Sequence, residues 1–183
     1  MDGTFGLDDG LTGAFAEVEL VVNRPVEDVW SLVTDVGRTG EWSPECVFAA
    51  WLPGQGEVPR AGARFEARNE YADGFTATVA CVVTEAVRPS VFAWVVLDDA
   101  QDVERPGSAW RYELTRAEGG TRVRQRFTHG PGVTGLRAFM RDHPGDARTA
   151  LEGRLAELRA NMSATLHAML DPTSLSGSSP YRT

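Results

Sequence analysis

Two side chains in this sequence have the type and setting for proton transfer, His129 and Tyr112. Residues 121–129 alternate polar and apolar, so on a strand Val123, Gln125, Phe127 and His129 share one face. Residues 108–116 alternate likewise and put Trp110, Tyr112 and Leu114 together. A neutral imidazole at His129 can act as a general base, with the Tyr112 hydroxyl donating to an enolate oxygen. These two are the candidate catalytic residues. The structural alternative for His129 is a histidine hydrogen-bonded at a strand end, ahead of the Gly130-Pro131-Gly132 turn. His143 and His167 have no ligand-type neighbours in sequence, so no metal site is expected. There is no nucleophile elbow, P-loop or Rossmann glycine pattern; Gly54-Gln55-Gly56 reads as a turn, and no cofactor is expected.

The same alternation collects a larger set suited to holding a molecule. Phe65, Ala67, Asn69 and Tyr71 share one side of 63–71, opposite the wet side of Arg64, Glu66, Arg68 and Glu70. Phe92, Trp94 and Val96 share one side of 91–97. The candidate ligand-contacting residues are Phe65, Asn69, Tyr71, Trp94, Trp110, Tyr112, Gln125 and Phe127, with Met162 from a helix. Aromatic and aliphatic walls with a few polar groups are the usual makeup of a small-molecule site. Trp94, Trp110 and Phe127 serve equally well as plain core. A buried amide without a partner costs about 1–3 kcal/mol. Asn69 and Gln125 therefore bond each other, cap a backbone group, or face water and ligand; the last is the expectation.

Positioning these faces takes a sheet and a long helix. Phe15–Val22 reads as a strand, and Pro25 then opens a short helix with Val26, Val29, Trp30 and Val33 on one face. Gly37 and Gly40 are expected to break it, with a second helical turn at 41–44. Strands follow at about 46–52, 63–71, 74–86, 91–97, 108–116 and 121–129, separated by short turns such as Asp73-Gly74 and Gly119-Gly120. Short connections imply an antiparallel meander. Between Pro144 and Asp171-Pro172, Leu151, Leu155, Leu158, Met162, Leu166 and Met169 recur at helical steps. The expected fold class is α+β, a curved antiparallel sheet of about seven strands wrapped around a long C-terminal helix. Helix and sheet leave a cavity between them. Residues 1–13 are read as a flexible leader, 14–170 as one domain and 171–183 as a disordered tail.

Composition narrows the partners. The chain has 183 residues and a formal net charge of −8, with arginine as its only cationic side chain besides histidine. An acidic surface repels phosphate backbones, and Arg122, Arg124 and Arg126 read as a solvated outer face, so no nucleic acid is expected. Cys46 and Cys81 lie in no CxxC pattern and are expected to be reduced. The first residues have no signal-peptide pattern and no apolar run is long enough to span a bilayer, so the expected location is the cytoplasm.

Val21-Val22-Asn23-Arg24-Pro25-Val26-Glu27-Asp28-Val29-Trp30, followed by Thr34-Asp35 and Glu41-Trp42-Ser43-Pro44-Glu45, resembles the opening of the SRPBCC (START-like, helix-grip) superfamily. It is most similar to the bacterial polyketide cyclase/dehydrase group. Gly62-Ala63-Arg64-Phe65, Phe92-Ala93-Trp94, Trp110-Arg111-Tyr112-Glu113-Leu114 and Gly120-Thr121-Arg122-Val123 extend the resemblance over about residues 15–170. It implies a grip cavity for hydrophobic or aromatic molecules. Cyclases of the superfamily often carry Ser and Arg just beyond a cavity-facing Trp, whereas Trp51 is followed here by Leu52-Pro53-Gly54-Gln55. Three functions are expected in turn: binding of a hydrophobic, aromatic or polycyclic small molecule; cyclisation or dehydration of a poly-β-keto or aromatic precursor; and accessory binding of a lipid or client.

Overall fold

The computed structural model describes residues 10–171. Strand β1 spans Phe15–Val22. Helix α1, Val26–Val33, follows Pro25, with Glu27 and Asp28 in its first turn where the helix dipole favours acids. Its buried face is Val26, Val29, Trp30, Leu32 and Val33. A 3-10 turn, Val36–Arg38, runs straight into α2, Thr39–Trp42. Gly37 and Gly40 thus lie inside helical turns rather than breaking a helix, and the second turn precedes the expected 41–44. Gly40 is needed for a different reason. A Cβ there would sit 2.4 Å from the Val47 carbonyl oxygen, so only glycine lets α2 approach the next strand this closely.

Strands β2 (Cys46–Trp51), β3 (Arg64–Glu70), β4 (Thr76–Val87), β5 (Val91–Val96), β6 (Ser108–Ala117) and β7 (Gly120–His129) form the meander. The seven-stranded sheet has the order β1-β7-β6-β5-β4-β3-β2, with every pairing antiparallel. The curved antiparallel sheet and long C-terminal helix are those of the helix-grip fold. Helix α3, Gly135–Asp142, is an additional helix that precedes the start of the long helix, which the sequence places at Pro144. Its N-terminus is capped by Thr134, whose side chain accepts from Arg137 N at 3.2 Å.

Helix α4, Ala147–Leu170, has 24 residues and so runs about 36 Å at 1.5 Å per residue. Leu158, Met162, Leu166 and Met169 are buried as the spacing predicts, while Leu151 and Leu155 are only half-buried. The C-terminal half is gripped by α1, α2 and the sheet, and the middle packs on Ala16 and Phe127. Arg24 fixes the end of the helix. Arg24 is 9% exposed, and its guanidinium donates to the carbonyls of Leu170 and Asp171.

On the outer face, Arg122, Arg124 and Arg126 pair with Glu19, Glu113 and Glu17. Of residues 10–13, read as part of a leader, Gly10, Thr12 and Gly13 are exposed. Leu11 is fully buried, and Gly13 N donates to the His129 carbonyl at 2.9 Å. The remaining leader and tail expectations, at 1–9 and 172–183, lie outside the described residues. No helix among the described residues is long and apolar enough to cross a membrane.

Candidate functional site

The sheet register assembles the site by placing aromatic residues directly opposite one another. Trp94 of β5 faces Trp110 of β6, which faces Phe127 of β7. The two indoles stack with centroids 5.9 Å apart and planes 4° from parallel. Phe65 and Phe92 meet Trp94 at 6.0 and 5.3 Å. Phe127 meets Trp110 edge-on at 4.9 Å. Such offset and edge contacts hold rings at fixed angles.

Between this wall and α4 lies a cavity with about 120 Å³ open to the centres of water-sized molecules. Phe65, Asn69, Trp94, Trp110, Tyr112, Gln125 and Met162 line it. Three of the expected site residues do not. Phe127 is packed in a core cluster with Ala16, Leu158 and Met162. Tyr71 falls beyond the end of β3 and lines a separate surface depression with Pro44, Val47 and Glu70. His129 is buried against the Phe127 ring, 4.7 Å away and edge-on, and is not part of the cavity wall.

The polar groups differ in their satisfaction. Asn69 on β3 and Gln125 on β7 line the cavity without bonding each other. Gln125 is 4% exposed and its Oε1 has no hydrogen-bond partner among the described residues. Tyr112, its cross-strand partner, is buried. Burial pushes the Tyr112 hydroxyl pKa well up, against the Gln125 side chain, which favours the phenolate. Neither His129 ring nitrogen has a hydrogen-bond partner among the described residues, and its pKa falls to about 4, through burial first and the Arg154 charge second. At neutral pH it is uncharged, but so weak a base removes protons poorly.

Several cavity residues carried no signal in the sequence reading. Leu32, Val36 and Trp42, from α1 to α2, close one end, and Cys46 and Cys81 contribute thiols. Burial raises both thiol pKa values, Cys46 to about 11, so both are protonated and poor nucleophiles. Glu45 and Asn161 stand between the cavity and the surface depression and line both. Glu45 accepts from Arg154 Nη2 at 2.6 Å, Arg154 Nη1 at 2.8 Å and Asn161 Nδ2 at 3.1 Å. This clasp ties the start of β2 to α4 across the cavity mouth. Among the described residues, no three His, Cys, Asp or Glu side chains gather as metal ligands.

Comparison with known proteins was informative for family and fold. A family described as polyketide cyclase / dehydrase and lipid transport matches residues 15–164. The Polyketide_cyc-like protein Cgl2372 from Corynebacterium glutamicum is 25% identical with a TM-score of 0.60, over 92% of this chain and 97% of that one. The di-domain ARO/CYC StfQ from the steffimycin biosynthetic pathway is 17% identical with a TM-score of 0.67. That match covers 87% of this chain, which spans only 50% of StfQ. Protein Ms6760 from Mycobacterium smegmatis is 16% identical with a TM-score of 0.56, over 92% and 93% of the two chains. No curated protein sequence matches the chain.

Proposed function

The chain belongs to the polyketide cyclase/dehydrase and lipid transport family, within the SRPBCC superfamily, and from that premise we propose that it binds a hydrophobic, aromatic or polycyclic small molecule without transforming it. The observation that carries this reading is the apolar cavity walled by the parallel Trp94–Trp110 pair. Burying apolar surface is worth about 25 cal/mol per Å², and a fixed aromatic wall favours flat rings over flexible chains. The chemistry around the cavity supports binding more than turnover. Its two thiols are protonated, and His129 lies outside its lining. The outer arginines are paired with glutamates, which supports a small-molecule partner over a nucleic acid. The test is a titration of flavonoids, aromatic polyketides and fatty acids followed by tryptophan fluorescence. A dissociation constant below about 100 μM, worth about 5.5 kcal/mol, is expected for an aromatic member. Trp94→Leu should weaken aromatic ligands more than fatty acids. Absence of binding across the panel would overturn the reading.

A second reading, a cyclase or dehydratase for a poly-β-keto or aromatic precursor, draws on the family description and on the Tyr112 hydroxyl in the cavity wall. Here the cavity folds the substrate and excludes water, Tyr112 donates a proton, and His129 is the candidate base. Turnover by His129→Ala at the wild-type rate would remove that base from the mechanism.

A further inference from the structure

Resting on the binding reading, the geometry points to a route and its control: we propose that ligands enter the cavity through the surface depression beside Tyr71, with the Glu45–Arg154 ion pair as the gate. Glu45 and Asn161 line both the cavity and the depression, so a molecule moving from one to the other passes between them. There the two side chains are held together, since Asn161 Nδ2 donates to Glu45 Oε2 at 3.1 Å. Arg154 grips both carboxylate oxygens of Glu45, Nη1 to Oε2 at 2.8 Å and Nη2 to Oε1 at 2.6 Å. The side chains of Glu45 and Arg154 are only 14% and 20% exposed. A two-point, charge-assisted contact of this kind is strong and directional, and burial shields it from salt.

The pair is also built to let go. Glu45 immediately precedes β2, the edge strand next to β3. The register of β2 on β3 shifts between Cys46 and Phe48, and such a bulge interrupts the ladder that would otherwise pin this end. Arg154 has a second acceptor on its own helix, Glu157 Oε2 at 2.7 Å, and its guanidinium lies 5.4 Å from the centre of the Tyr71 ring. On release Arg154 keeps these partners, and Glu45 turns to water in the depression. Neither charge is then stranded in an apolar setting, which is what makes breaking a buried pair costly. Closed and open are two arrangements of the same groups, and ligand exchange runs through the open one.

A barrier on the path, rather than at either end of it, slows entry and exit by the same factor and leaves Kd unchanged. Stopped-flow fluorescence with N-phenyl-1-naphthylamine reads both rates. The probe is aromatic and neutral, so removing a charge from the protein does not alter its steering. Arg154→Met opens the clasp without changing a lining residue. Its association and dissociation rate constants should both rise at least about fivefold, with Kd changed by less than about twofold. Glu45→Gln leaves no bare charge in the clasp and should accelerate both steps by at least the same factor. Arg24→Gln loosens the C-terminal end of α4 instead, and should leave both rates within about twofold of the wild type. A smaller rise in either folded clasp variant overturns the gate while leaving the binding reading standing. So does faster dissociation alone, which marks a lost ligand contact, or equal acceleration in Arg24→Gln, which marks general loosening. Failure of the probe to bind the wild type removes the binding reading, and this inference with it.

Discussion

The His129 imidazole is 5% exposed, and neither ring nitrogen has a hydrogen-bond partner among the described residues. Burial, followed by the Arg154 charge, lowers its pKa to about 4, whereas an unfolded chain titrates near 6.5. Between those values the unfolded state binds a proton that the folded state refuses. His129 therefore contributes its full stability above about pH 6.5 and loses it as pH falls towards 4. In urea denaturation, stability should drop from pH 7 to pH 5 by more in the wild type than in His129→Leu. Equal drops would mean that the ring is not held in its buried neutral form. Alternation along β7 placed His129 on the inward face. It carried no information on whether that end of the face meets a cavity, because the answer lies in the Phe127 ring and the residues packed above it.

At the scale of elements, α4 decides both core and cavity. Leu158 is 1% exposed and Met162 is 2% exposed, and both touch the cavity and the packed cluster around Phe127. Arg159, next along the helix, is exposed. Leu158→Ala should cost about 2–5 kcal/mol and Arg159→Ala less than about 0.5 kcal/mol in chemical denaturation. Similar losses at the two sites would show that the sheet does not grip this face. Met162 ends in a flexible thioether on the cavity side, so Met162→Ala should enlarge the space and shift preference towards bulkier aromatics. A ligand ranking unchanged by Met162→Ala would place the bound molecule elsewhere. The helical spacing in the sequence identified this stripe. It did not reveal that Leu151 and Leu155 are half-buried, because that depends on what other elements bring against the helix.

For the whole molecule, ligand and fold are one equilibrium. A ligand that fills a cavity present only in the folded chain stabilises it by about 2.7 kcal/mol at 100 times its dissociation constant. For a domain of this length that raises Tm by roughly 5–11 °C. Differential scanning calorimetry at several ligand concentrations should show this rise, growing with the logarithm of concentration. Tight binding without a rise in Tm would mean that the unfolded chain binds equally well, which a folded cavity does not allow. The Glu45–Arg154–Asn161 clasp belongs to this scale too. It joins residues 109 and 116 positions apart, and its charges keep a polar seal on an apolar interior.

The amino-acid sequence determined the period of each strand, the length of α4 and the inward face of every site strand. These are local properties: side chains alternate along a strand and recur every 3.6 residues along a helix wherever the chain goes. It also carried the family, through motifs spread over most of the domain. Tertiary structure alone decided which inward residues border space. Trp110 and Phe127 face each other on neighbouring strands, yet one lines the cavity and the other is core. Tyr71 continues the inward pattern of β3 but falls past the strand's last residue, in the outer depression. Glu45 and Asn161 acquired a role only when β2 met α4. A cavity is the gap left between two packed surfaces, and neither surface encodes it alone.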